Sequence, residues 1–294
     1  MSDKIKELII KNKPNISKSS ITTYNSILKN LYKKVFGDEP IDIEKFDHAP
    51  PILSYLRDLE PSKRKTILAS LVVITDNKKY RDQMMKDIEE YKSKESKQMK
   101  SEKQDNSWLT TTDLYDVHEI LKHNAELLLQ KNNLNMSDLQ EIQNYVIICV
   151  LGGMYIPPRR SKDYVDFKIK DIDPDKDNYI ENKKMIFNSY KTSKTYQRQE
   201  IPIPPELMKI LKQWINLNHT EYLFYDNNCK KMTNVKLTQR LNKLFGKKAS
   251  VNQLRHTYLS DKYQDTIKLN KDMADDMKAM GSSRNQEAIY IKKD

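Results

Sequence analysis

The sequence predicts a mainly α-helical protein with one small antiparallel β-sheet, organised as two domains. Three observations carry that reading. Apolar residues recur at helical spacing through most of the chain. β-Branched and aromatic residues concentrate at 179–190 and again at 199–203, with KTSKT between them, as the strands of a small three-stranded sheet would require. Finally, the stretch KSKESKQMKSEKQDN at 92–106 holds Met99 as its sole large apolar residue, so no core runs through it. At 294 residues, the chain leaves each side of that stretch enough length to bury a core.

Residues 1–16 read as a short helix ended by a turn at Pro14. The serines at 17–20 cap a helix carrying Ile21, Tyr24, Leu28 and Leu31, which Gly37 and Pro40 close. Pro51 opens a second helix with Ile52, Tyr55, Leu56 and Leu59. Ser62 caps a third, with Ile67, Leu68, Leu71 and Ile74 on its apolar face. Lys63, Arg64 and Lys65 fall in its first turn, where cations oppose the helix dipole; a bound anion or a simply solvated face accounts for them equally well. A fourth helix runs from 77 to 88.

The second domain begins at Trp108. Thr111, Thr112 and Asp113 offer caps for a helix through Leu129, and Ser137 caps another that carries Leu139, Ile142, Tyr145 and Val146 into the run YVIICVLGG. After Pro157 and Pro158 come Arg159, Arg160 and Asp163, then the strand pair. Helices resume at 205–217, 233–245, 250–263 and 271–280.

Composition narrows the function. Lys and Arg total 52 against 41 Asp and Glu, a net charge of +11 that favours a polyanionic partner, of which nucleic acid is the commonest. The longest apolar runs fall short of a membrane span, and MSDKIKELII has acidic residues where a secretory signal has a basic start. Two cysteines, Cys149 and Cys229, give neither a disulfide framework nor a four-cysteine zinc site and fit a reducing compartment. The five glycines form no phosphate cradle of the GxGxxG or GxxxxGK[ST] kind. DIDPDKDN at 171–178 alternates aspartates as a calcium loop does, but Lys176 stands where such a loop needs glycine and Asn182 where it needs glutamate. A polar turn is the expectation there, and His118 and His123, with no cysteine near, form no zinc site.

What remains is the set Arg160, Lys194, Arg255 and Tyr290. A tyrosine phenol has a pKa of about 10, so it attacks a phosphodiester only where neighbouring cations stabilise the developing charge and hold it in line. Arginine suits that task because its planar fork donates to two phosphate oxygens at once. In order and spacing the set resembles the catalytic domain of the tyrosine recombinases, the integrase family. PRRSKDYVDFKIKDID is similar to that family's first-arginine segment, with Arg160, the acid Asp163 and the DID of 171–173 at matching separations. SKTYQRQEIP places Lys194 where the family has its hairpin lysine, with Lys191 as the rival. NQLRH resembles the HxxRH box at Arg255 and His256, and MGSSRNQEAIY resembles the LGH box and its nucleophile Tyr290. Asn252 stands at the first position of the former box and Ser282 at the histidine of the latter. The PPRR form with DY close behind looks most like recombinases of eukaryotic mobile elements and large DNA viruses.

The resemblance implies a two-domain clamp on double-stranded DNA: a helical core-binding domain at 1–95, a linker at 96–107 and a catalytic domain at 108–294. It implies that Tyr290 forms a 3′-phosphotyrosyl link, that Arg160 and Arg255 hold the non-bridging oxygens, and that Lys194 protonates the leaving 5′-oxygen. His256, Asn252 and Ser282 would support the phosphate or the arginines, and Lys63, Arg64, Lys65, Arg159 and Lys191 would contact the DNA backbone. No metal, nucleotide or other cofactor is implied. Expected partners are DNA and further copies of the chain assembled on it, in an intracellular, DNA-associated setting: host nucleus, cytoplasm or virion. A type IB topoisomerase shares this constellation, and Asn252 with Ser282 leave open a recombinase-derived DNA-binding protein without catalysis.

Overall fold

Several helix starts in this chain fall where a short polar side chain takes up a free backbone N–H group. The computed structural model describes residues 3–96, 100 and 102–282, apart from the side chains of Lys94 and Lys103. Contacts divide the chain into two units, Met1–Ser101 and Glu102–Asp294.

In the first unit, α1 (Lys4–Asn12), α2 (Lys18–Phe36), a 3₁₀ turn (Glu44–Asp47), α3 (Ala49–Leu56), α4 (Pro61–Thr75) and α5 (Lys78–Ser96) follow one another. The Ser17 side chain caps α2 by accepting from Ser20 N, and Gly37, at φ 86°, ends it. Leu28, Tyr32, Phe46, Ile52, Leu68 and Leu71 form its buried centre. Three expectations shift here. The helix expected to open at Pro51 begins two residues earlier, at Ala49, and ends at Leu56, short of Leu59. Pro61, not Ser62, opens α4, since a proline has no N–H to leave unsatisfied in the first turn. Also, α5 continues beyond Ile88 into the polar stretch, whose lysines and glutamates are good helix formers.

The second unit contains α6 (Glu102–Asp105), α7 (Thr111–Leu128), α8 (Met136–Leu151), α9 (Ser161–Val165), β1 (Tyr179–Glu181), β2 (Lys184–Phe187), α10 (Ser193–Tyr196), β3 (Gln199–Pro202), α11 (Pro205–Leu217), α12 (Asn234–Phe245), α13 (Val251–Lys262) and α14 (Gln264–Ala279). Capping boxes set two starts one or two residues before the expected positions: Thr110 with Asp113 begins α7, and Asn135 with Asp138 begins α8. The second half of α8, from Tyr145 to Leu151, is buried all round and forms the spine of the core. Trp214 of α11 packs near it, donating Nε1 to Leu223 O at 2.8 Å and stacking on Tyr225.

The sheet is antiparallel in the order β1-β2-β3, with Tyr179 opposite Ile186 and Phe187 opposite Gln199. Asn182 and Lys183 turn the first hairpin at φ 48° and 61°, the left-handed pair that a two-residue hairpin demands. The architecture is therefore mainly α with one small antiparallel sheet. Among the described residues no helix is long and apolar enough to cross a membrane. At its far end, α14 starts seven residues earlier than the 271–280 expectation, continuing almost directly from α13.

Candidate functional site

Pro157 and Pro158 cannot continue the preceding structure as helix, and they deliver Arg159 and Arg160 in extended backbone ahead of α9. Arg160 is the N-cap, at φ −70° and ψ 151°, and its carbonyl accepts from Asp163 N at 3.0 Å. That single turn aims the Asp163 carboxylate back at the two arginines.

Asp163 is 1% exposed, and the guanidinium that meets it belongs to Arg159, whose Nε donates to Oδ2 at 3.0 Å. Arg159 Nη1 donates to Gln199 Oε1 at 2.6 Å, and its guanidinium carbon stands 4.1 Å from the Phe187 ring centre and 4.8 Å from that of Tyr190. Burial pushes the Asp163 carboxyl up, against the pull of Arg159 and, more weakly, Arg160. Arg159 is thus an internal cation that neutralises a buried acid and lies within cation–π distance of two aromatic rings. It is only 14% exposed, and its described hydrogen bonds are all internal.

Arg160 differs from its neighbour. Its half-buried side chain makes no hydrogen bond or ion pair among the described residues. Arg255, on α13, donates Nη1 to Asn252 Oδ1 at 3.3 Å, one turn back on the same helix. Burial pushes the Arg255 guanidinium down, and the charges of Arg160 and Arg159 push it further, against the attraction of Asp163. The charge of Arg160 thus disfavours that of Arg255, while Asp163, which favours it, is hydrogen-bonded by Arg159. Such a pair is electrostatically incomplete without an anion.

Three hydrogen bonds tie α13 and its approach to the 107–109 segment. Gln253 Nε2 donates to Ser107 O at 2.8 Å, Thr257 Oγ1 donates to Leu109 O at 2.6 Å, and Lys247 Nζ, just before the helix, donates to Trp108 O at 3.0 Å. Gly153, at φ 84°, packs so closely on Tyr258 of the same helix that a Cβ there would sit 2.6 Å from the ring. His256 is exposed on the same helix, its ring centre 6.4 Å from that of Trp108.

Lys191 and Lys194 lie exposed in the segment between β2 and β3, with Lys194 inside the four-residue α10. Tyr190 closes that segment by donating its hydroxyl to Gln197 O at 2.6 Å. Ser282 follows α14, where Gly281 at φ 72° makes the helix end: Gly281 N donates to Lys278 O at 3.0 Å and Ser282 N to Met277 O at 2.8 Å. Gly281 therefore has a helix-terminating reason to be glycine. Tyr290 lies outside the described residues.

In the first unit the three cations of α4 separate. Arg64 Nε donates to both Asp87 oxygens, at 3.0 and 2.8 Å, its Nη2 donates to Oδ1 at 2.6 Å, and Nη1 donates to Arg57 O at 3.0 Å. Asp87 is 1% exposed, so Arg64 is an internal ion-pair partner rather than a solvated or anion-binding cation. Lys65 Nζ rests 3.3 Å from the Tyr91 ring centre, and Lys63 is exposed. The DIDPDKDN segment is the polar turn expected: Asp173 accepts from Lys176 and from Asp175 N, and Asp177 accepts from Asp173 N. His118 is buried against Tyr145 as a core histidine.

Sequence reasoning missed Phe187, Tyr190 and Gln199, the three residues that hold Arg159. No local signal marks them, because their contact with Arg159 depends on how the sheet folds back onto α9.

No family model and no curated protein matches the chain. Among solved structures it is similar to a lambda integrase(75–356) dimer bound to a COC′ core site, with 15% identity and a TM-score of 0.45, covering 90% of this chain and 89% of that one. It is also similar to a lambda integrase tetramer bound to a Holliday junction, with 13% identity and a TM-score of 0.44, covering 89% and 69%.

Proposed function

We propose that this chain is a tyrosine recombinase that cleaves and rejoins double-stranded DNA through a 3′-phosphotyrosyl intermediate. The observation that carries the reading is how the cations divide: Arg159 occupies Asp163, while the half-buried Arg160 and Arg255 make no ion pair among the described residues and each feels the other's positive charge. A phosphodiester presents the two non-bridging oxygens that such a pair lacks.

In the proposed reaction the Tyr290 oxygen attacks phosphorus in line with the 5′-oxygen. The bond from phosphorus to that oxygen breaks, and the departing 5′-oxygen takes a proton from Lys194, with Lys191 as the alternative donor. The phenol proton is lost to solvent or to a basic neighbour. The products are a 3′-phosphotyrosyl end and a free 5′-hydroxyl, and attack by another strand's 5′-hydroxyl reverses every bond change. Asn252 spends its carbonyl oxygen on Arg255, which leaves its amide N–H groups to face an anion. His256 is a further donor from α13, and Ser282 lies beside the Gly281 turn from which the chain runs on towards Tyr290.

In this reading 1–95 is a DNA-binding helical domain, 96–107 a linker and 108–294 the catalytic domain, with subunits assembling on DNA as a mobile element or viral integration would require. Lys63 and Lys191 are its backbone contacts in their respective units, with Lys65 held beside Tyr91. Incubation with nicked suicide duplexes, followed by denaturing electrophoresis, tests the reading. A covalent adduct that disappears in Tyr290→Phe supports it. Salt-sensitive binding without any adduct would make the chain a DNA-binding protein, and relaxation of plasmids without site preference would make it a topoisomerase.

A further inference from the structure

We propose that Arg159 is a positioning residue that holds the segment carrying Lys191 and Lys194, and with it the proton donor to the leaving oxygen, against the arginine pair. This rests on the recombinase reading for its chemistry, while the tether itself is a matter of contacts. The segment has little of its own to hold it. Its helix, Ser193–Tyr196, is a single turn with no buried residue, and an isolated turn does not sustain itself. Residues 194–198 are all exposed.

Its two feet are Tyr190 and Gln199, and Arg159 reaches both. The guanidinium lies 4.8 Å from the Tyr190 ring centre and donates to Gln199 Oε1 at 2.6 Å. Tyr190 passes the constraint on by donating to Gln197 O at 2.6 Å, and Gln197 N donates to Ser193 O at 2.8 Å. The fourth contact of Arg159, with Asp163 at 3.0 Å, anchors it to the turn that presents Arg160. One side chain therefore links the first phosphate-binding arginine to both ends of the lysine segment. Nε and Nη1 of Arg159 are both engaged within the protein, on Asp163 and Gln199.

The test must separate positioning from mere stability. Arg159→Lys keeps a cation for Asp163 and loses the reach to Gln199, while Gln199→Ala removes one foot without touching charge. The substrate is a duplex bearing the cleavage site recovered from the wild-type adduct, made with either oxygen or sulfur at the 5′-bridging position. A thiolate leaves without a proton, so it bypasses the lysine but not the arginine pair. Both variants should cleave the oxygen substrate ~10-fold or more slowly, within the range a misplaced general acid costs, and cleave the sulfur substrate at nearly the wild-type rate. Arg160→Ala should remain slow on both. Equal slowing of Arg159→Lys on the two substrates, or none on either, overturns the proposal. Hydrogen exchange of peptides spanning 190–199 in DNA-free protein supplies a readout independent of catalysis. It should quicken in both variants and be unchanged in Arg160→Ala; unchanged exchange in Arg159→Lys also overturns the tether. Absence of any wild-type adduct would defeat the recombinase reading and leave the exchange result to decide the tether.

Discussion

Arg159, rather than the adjacent Arg160, holds the buried carboxylate of Asp163, with Nε 3.0 Å from Oδ2. This division of labour between neighbouring arginines organises the site. One arginine neutralises the acid, and the other is left to meet Arg255.

That division predicts different losses for the two cation types. Arg160→Ala and Arg255→Ala should each slow single-turnover cleavage by ~10²–10³, as loss of one charge-stabilising donor does, with melting temperatures close to wild type. A large drop in melting temperature for Arg160→Ala, comparable with that of Arg159→Ala, would show that Arg160 is also structural.

The Arg64–Asp87 pair predicts a stability effect where an affinity effect was expected from the sequence. Asp87 is 1% exposed, and removing one partner of such a pair leaves an uncompensated buried charge, costing ~3–5 kcal/mol. Arg64→Ala should show that loss in denaturant titration. Lys63→Ala should leave stability unchanged and lower the slope of log affinity against log salt by about one phosphate contact. Wild-type stability in Arg64→Ala would contradict the ion-pair role.

Gly153 predicts a third kind of defect. At φ 84°, with a Cβ position 2.6 Å from the Tyr258 ring, alanine is strained by its backbone and by contact with α13. Gly153→Ala should destabilise the second unit by ~1–3 kcal/mol and slow cleavage through displacement of Arg255. An alanine variant with unaltered stability and rate would show that α13 is seated by Gln253 and Thr257 alone.

Acid stability should depend on Asp226. Its hydrogen bond from Lys236, reinforced by the backbone N–H groups of Lys230 and Asn228, lowers its carboxyl from the ordinary 3.8 to about 2. A lowered folded-state pKa means the native state favours the ionised form. The stabilisation is thus present above the ordinary value and lost as pH falls towards about 2. Asp226→Asn should therefore be less stable than wild type at pH 6, with the difference shrinking through that window. A constant difference from pH 6 to 2 would exclude the ionised form as the source.

How much of this was readable in the sequence depended on whether a feature is local. The Ser17 cap, the turn at Gly37, the periodic face of α2 and the bounds of α11 are set within a few residues, and all were readable, whereas the expected caps at Ser62 and Ser137 gave way to neighbours. The HxxRH-like box likewise places Asn252, Arg255 and His256 on one helix, where three- and four-residue spacing decides who meets whom. The Arg159–Asp163 pairing was not legible, because the pattern puts Asp163 at equally usable distances from both arginines. Only Gln199, Phe187 and Tyr190, brought in by the sheet, decide for Arg159. The internal role of Arg64 was hidden for the same reason: Asp87 lies on another helix, 23 residues away.

The most direct test of the central claim is covalent trapping with the intact chain. Wild-type protein mixed with nicked suicide duplexes should yield a protease-sensitive DNA–protein adduct, mapped by mass spectrometry to a phosphotyrosine at Tyr290. Tyr290→Phe should bind DNA with near wild-type affinity and form none. An adduct of undiminished yield in Tyr290→Phe, or a wild-type protein that binds these duplexes without ever joining them, would contradict the account.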